Sequence, residues 1–146
     1  MHVRTQIRNA AVTRLTGMAL TGANVFASRV RPVDSTKMPC LLVSTDEEEL
    51  GPATIHGTYA RQLTLSIKIV AEQSGEGIDA LLDDIAEGVE TELGNSTPLL
   101  AGASQQLTLT SIAVEFDDEG EKPAGSLTLA YRFEYFTTTA APGTAL

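Results

Sequence analysis

The chain has no tryptophan, 5% aromatic residues, one cysteine and two histidines, and its 10 basic residues face 19 acidic ones. Each shortage excludes something. One cysteine forms no internal disulfide, so the fold must hold without covalent staples. A formal net charge of −9 repels phosphate backbones, whose binding needs clustered Lys and Arg, and gives no attraction to an anionic membrane. No window carries the roughly 20 apolar residues that a spanning helix requires. The N-terminus reads Met-His-Val-Arg-Thr-Gln, without the apolar core of a secretory signal, and a cytoplasmic origin is the expectation. Asn95-Ser96-Thr97 fits a glycosylation sequon, which without secretion reads as chance.

What is present is ordinary globular material. The 146 residues are 42% hydrophobic and 20% charged. That length suits one domain and buries roughly 70% of the unfolded chain's surface. The domain is expected over residues 1–137, with 138–146 a flexible tail, because the end is small, polar and broken by Pro142 and Gly143.

Periodicity sets out the elements. Val3, Ile7, Ala11, Leu15 and Met18 step by three or four, one stripe of a helix, with Gly17 and Gly22 at its end. Asn24 to Val30 is short and β-prone and is stopped by Pro32; Pro39 opens a second strand, Cys40 to Ser44, apolar on both faces. Asp46-Glu47-Glu48-Glu49 and then Gly51-Pro52 read as a turn. From Thr58 to Val70 alternation is clear: Leu63, Leu65, Ile67 and Ile69 point one way and Gln62, Thr64, Ser66 and Lys68 the other. A second helix runs from Ile78 to Leu93 with the stripe Ile78, Leu81, Leu82, Ile85, Val89 and Leu93, and Gly94 is its expected cap. In the next strand Leu107 and Leu109 are out of phase with Ile112, Val114 and Phe116, which predicts a bulge near Thr110. The last strand places Leu127, Leu129, Tyr131, Phe133 and Tyr135 on one face. The order α-β-β-β-α-β-β predicts an α+β two-layer sandwich, a mixed or antiparallel sheet of about five strands with both helices packed on one face.

Chemistry is harder to find. Catalysis needs a nucleophile, a base and a stabiliser in one pocket. His2 is terminal, and His56 lies in a Gly/Thr turn where solvation is the plain reading. There is no Gly-x-Ser-x-Gly elbow and no phosphate loop; Gly75-Glu76-Gly77 lacks the glycine and lysine that would have to follow. Cys40 beside Leu41 and Leu42 reads as a small buried hydrophobe. The acidic runs offer hard oxygen ligands, but neither has the alternating spacing of a calcium loop, so no metal and no cofactor is expected. Inward-pointing polar residues, the mark of a ligand pocket, are almost lacking on the strands from Thr58 and Gly125.

Charge distribution points instead to contacts between proteins. Arg29 and Arg31 are two apart in an extended segment and so share a side, where they could grip a carboxylate or stand as exposed charges. Glu47, Glu48 and Glu49 in one turn, and Asp117, Asp118 and Glu119 in another, are the acidic counterparts that a neighbouring copy could offer. Leu99-Leu100 is either core filling or a docking patch.

The strings "IRNAAVTRL", "NVFASRVRP" followed by "MPCLLV", "RQLTLSIKIVAE", "IDALLDDIAEGVETEL" and "GSLTLAYRFEYFTT" together resemble the tail terminator proteins of long-tailed bacteriophages, akin to the minor tail protein U family. The resemblance covers most of the chain, in the family's order. It implies a small α+β virion protein, assembled in the host cytoplasm, that forms a hexameric ring on the tail tube. The implied ring ends tube polymerisation and offers the head–tail joining surface. Its implied partners are further copies of itself, the tail tube protein and a neck or head-completion protein, with DNA passing through the bore unbound. It implies no catalytic or metal residue. The composition is compatible. A ring uses a head-to-tail interface, whose two faces must differ. An exposed charge pair adds about 1 kcal/mol, so apolar burial has to carry most of the affinity. The alternatives are another head–tail connector or neck completion protein, or a small cytoplasmic ligand-binding or enzymatic domain.

Overall fold

The computed structural model describes residues 1–30, 35–73, 77–117 and 124–146. Arg31, Asp118, Glu119 and the Gly75-Glu76 turn lie outside the described residues. The elements follow in the order α1 (Val3–Leu15), β1 (Val25–Phe26), a 3-10 turn (Ser35–Lys37), β2 (Cys40–Thr54), β3 (Thr58–Glu72), α2 (Ile78–Leu93), β4 (Gln105–Asp117), β5 (Ala124–Thr138) and β6 (Ala141–Ala145).

The sheet has 6 strands in the order β1-β2-β3-β5-β4, with β6 added to β5. β1 runs parallel to β2 and every other pairing is antiparallel, so the sheet is mixed. Both helices lie on one face. Val3, Ile7, Ala11 and Leu15 of α1 and Ile78, Leu82, Ile85, Val89 and Leu93 of α2 join Leu63, Leu65, Ile67, Ile69, Leu127, Leu129, Tyr131, Phe133 and Tyr135 in one core. At about 1.5–3 kcal/mol for each large side chain fully buried, these stripes hold the helices on the sheet. Leu99 and Leu100 are half-buried against the same core. On the opposite face a small cluster of Cys40, Leu42 and Val70 is covered by Phe26 and Met38, so the cysteine is a buried hydrophobe.

Local chemistry ends the helices. The His2 Nδ1 accepts from the Arg4 N–H at 3.1 Å and caps the start of α1. After α1, Gly17 adopts φ +97° and Gly22 φ +55°, and they close a small loop through the bonds Gly17 N–H to Gly22 O and Gly22 N–H to Met18 O. Gly94 does cap α2, but in a right-handed conformation, donating to the Glu90 carbonyl. The bulge near Thr110 is present as a register shift between Leu109 and Ser111.

Three expectations are corrected. β1 is only Val25–Phe26; beyond it the chain leaves the ladder, and the Arg29 side chain reaches back to Asp46 and the Thr45 carbonyl of β2. The Asp46–Glu49 and Gly51-Pro52 segments are not a turn: β2 continues through them to Thr54, paired with β3 except at the register shifts that skip Asp46, Glu47 and Ala53. This is possible because the register shift between Thr45 and Glu48 absorbs one extra residue, and because Pro52 lies where β2 is the edge of the sheet, a place that tolerates proline. Of the residues 138–146, expected to be a flexible tail, Thr138 ends β5 and the following residues form a turn and β6. The Leu146 N–H donates to the Phe136 carbonyl, and the Ser104 N–H donates to the Leu146 carbonyl, so β6 lines up end to end with β4. The Gln6 side chain fastens the same segment by donating to the Gly143 carbonyl at 2.7 Å.

Candidate functional site

The most developed cluster of polar side chains is built by the β2 irregularity. The shift between Thr45 and Glu48 sets Glu48 opposite Leu63, and so on the helix-covered side of the sheet. Leu50 faces Arg61, and Arg61 faces Tyr135 across β5, so Glu48, Arg61 and Tyr135 converge on that side. Arg61 Nη1 donates to Glu48 Oε1 at 2.7 Å, and the Tyr135 hydroxyl donates to Glu48 Oε2 at 2.5 Å. Arg61 Nε donates to the Thr137 hydroxyl at 2.8 Å. The ion-paired side chains are 8% exposed for Arg61 and 4% for Glu48. A buried carboxylate is tolerated when both oxygens are bonded and its partner is a planar guanidinium. The guanidinium also lies 5.8 Å from the Tyr59 ring centre. Burial, reinforced by the hydrogen bond to Glu48, pushes the Tyr135 phenol well up from its ordinary value. His2 lies within the field of this pair; burial and then the Arg4 charge hold its imidazole below the usual value.

A second cluster sits where β2 meets the segment after β1. Asp46 accepts from the Ser66 hydroxyl at 2.5 Å, from Arg29 Nη1 at 2.5 Å and from the Ser44 hydroxyl at 3.2 Å. Arg29 Nη2 also donates to the Thr45 carbonyl at 2.7 Å. Burial pushes the Asp46 carboxyl up, but the bonds from Ser66, Arg29 and Ser44 outweigh it and hold the group below the ordinary value.

The residues singled out in the sequence are thus scattered. Arg29 is engaged by its own chain rather than standing free. Glu48 is turned inward, not out into solvent as a turn residue would be. Glu47 and Glu49 are exposed and line a shallow hollow on the uncovered face with Gln62, Thr64 and Arg132. Asp117 is the last residue of β4. Sequence reasoning missed Arg61, Tyr135 and Thr137 as a unit. The signal was available: Arg61 falls on the same parity as Leu63, Leu65, Ile67 and Ile69, a charge on the apolar face of an alternating strand.

Every polar atom of the Glu48 network named above is spent on another member. Beside it lies an open hollow of about 380 Å3, bordered by Ala60, Arg61, Gln105, Tyr135 and Phe136. Among the described residues no group of three or more His, Cys, Asp and Glu side chains is placed to hold a metal ion, and no helix is long and apolar enough to cross a membrane. The Glu48 network links β2 to β3 and ties β5 to both.

Compared by sequence, the chain matches no family model and no curated protein. Compared by fold, it is similar to a chain of the virion of a native gene transfer agent particle, with a TM-score of 0.58 and 18% identity over 87% of this chain and 93% of that one. At that identity the likeness is one of fold, and it extends over nearly the whole of both chains.

Proposed function

We propose that this protein is a structural component of a phage-like virion, and within it a tail terminator: a ring of identical copies that caps the tail tube, ends its polymerisation and presents the head–tail joining surface. The observation that carries this reading is the fold likeness to a virion chain across nearly its whole length, on a sequence whose strings, taken together and in order, resemble those of terminators. Two further features support it. The buried polar side chains Glu48, Arg61, Tyr135 and Thr137 are bonded to one another and tie three strands together, which suits a rigid building block. The −9 charge suits a bore through which DNA slides without sticking. Partners follow from the role: further copies of the chain, the tube protein below and a neck or completion protein above.

The test is tube growth. Tube protein polymerising in the presence of purified chain should give short tubes with extra density at one end in electron micrographs. Tubes of unchanged length with bare ends would contradict the terminator role.

A further inference from the structure

The two outer edges of the sheet differ in how they are guarded. Along β2, Pro52, the Thr45/Glu48 irregularity and the Arg29 bond to the Thr45 carbonyl all blunt strand addition. β4, at the opposite edge, has one such device, the bulge between Leu109 and Ser111, and no further irregularity from there to Asp117. It carries no Pro, Lys or Arg, and Ile112, Val114 and Phe116 are 48%, 46% and 50% exposed. Ile112 faces Leu129 and Val114 faces Leu127, so this row lies on the helix side of the sheet, just beyond the cover of α2. Phe116 borders α2 directly: it approaches Gly125 together with Ile78 and Leu82. The exposed acids Asp79 and Asp83 on the first turns of α2 make this flank acidic as well as apolar.

The registers connect this row to the other edge. Val25 lies level with Leu41, Leu41 with Ile69, Ile69 with Leu127 and Leu127 with Val114. The β1 segment and the exposed row of β4 therefore stand at the same height on opposite sides of the molecule. β1 is parallel to β2, and three antiparallel pairings separate β2 from β4, so β4 runs opposite to β1. Around β1 the exposed side chains include Val30, 75% exposed, Lys37, which lies over the Phe26 ring, and Arg29, which stays 63% exposed while paired with Asp46.

We infer that the β4 edge docks on the β1 flank of a second copy of this chain. A closed ring rotates each copy without raising it, so with strands along the ring axis residues at one height meet, and β4 arrives antiparallel to the neighbour's β1. Apolar side chains then meet Val30, and the Asp79 and Asp83 charges meet Lys37 and the exposed part of the Arg29 guanidinium. An association of β4 with β4 would instead bring two acidic flanks together. This inference rests on the ring reading and adds to it which two surfaces touch.

The experiment uses two charge variants of the full chain, Val114→Lys and Val30→Glu, both at exposed positions, with circular dichroism to establish that they fold. Light scattering reads the mass of each alone and of the two mixed. Each variant alone should associate at least about tenfold more weakly than the wild type, because each sets like charges face to face. The mixture should recover association, because each supplies the surface the other lacks and the introduced lysine can face the introduced glutamate. Normal association of either variant alone, or no recovery on mixing, would overturn the docking surface while leaving a ring-forming wild type intact. A wild type that stays a monomer both free and at tube ends would overturn the ring reading and the docking surface together.

Discussion

Glu48 and Arg61 meet at 2.7 Å with almost no solvent contact, one on each strand of the β2–β3 hairpin. The pair sits where a register irregularity would otherwise leave β2 free to slip, and Tyr135 and Thr137 bind it to β5. Replacing one partner leaves an uncompensated buried charge. Arg61→Met is expected to cost about 3–5 kcal/mol in urea unfolding, and Glu48→Leu a similar amount. The double variant should recover most of that loss. A double variant as unstable as the sum of the singles would show that the two do not act as a pair.

Asp46 gives a pH signature. Its carboxyl titrates below the ordinary 3.8 in the folded chain, so its contribution to stability is present above 3.8 and is lost as pH falls through the folded value. The difference in urea midpoint between the wild type and Asp46→Asn should be largest near neutral pH and should close in strong acid. Because Arg29 is 63% exposed, salt should weaken only the part that the ion pair contributes, leaving the Ser66 and Ser44 bonds in place. A difference that grows on acidification would contradict this assignment.

The C-terminal strand is measurable by truncation. Removing residues 140–146 deletes the bonds of Leu146 to Phe136, Ser104 to Leu146 and Gln6 to Gly143. A loss of roughly 2–4 kcal/mol is expected from bonds of about 0.5–1.5 kcal/mol each. An unchanged melting temperature would mean that the end is the loose tail its composition implied.

Gly125 lies directly beneath the first turns of α2. A Cβ there would stand 3.1 Å from both Ile78 and Leu82 and 3.3 Å from Phe116. Gly125→Val should destabilise by about 1–3 kcal/mol through overpacking, read as a lower melting temperature. Gly51→Ala, where a Cβ meets nothing within 4 Å, is the control and should be near neutral.

Much of this fold was legible. The stripes of α1 and α2, the bounds of α2, the alternation of β3 and the bulge near Thr110 all follow from apolar spacing, since a buried face imposes its period on the chain. The acidic stretch of β2 was not. Glu47 and Glu49 face solvent on an edge strand, where composition constrains little, and only the pairing with β3 decides that the chain stays extended. β6 was hidden for a related reason: Ala141-Pro142-Gly143-Thr144-Ala145 has no strand pattern, and its place comes from the open side of β5 beyond the start of β4. Arg61 was visible as a charge on an apolar face, but its partner sits on a segment that reads as a turn. The proposed interface is a further case. Ile112, Val114 and Phe116 look like core in a linear reading, and only the reach of α2 shows that half their surface stays open.

The central claim is that copies of this chain assemble side by side into a ring, and the mass of the wild-type protein, free and recovered from tube ends, tests it most directly. The account predicts a discrete, closed species several times the 15.4 kDa of one chain, with a central opening in averaged micrographs. A lone 15.4 kDa species under both conditions would contradict it.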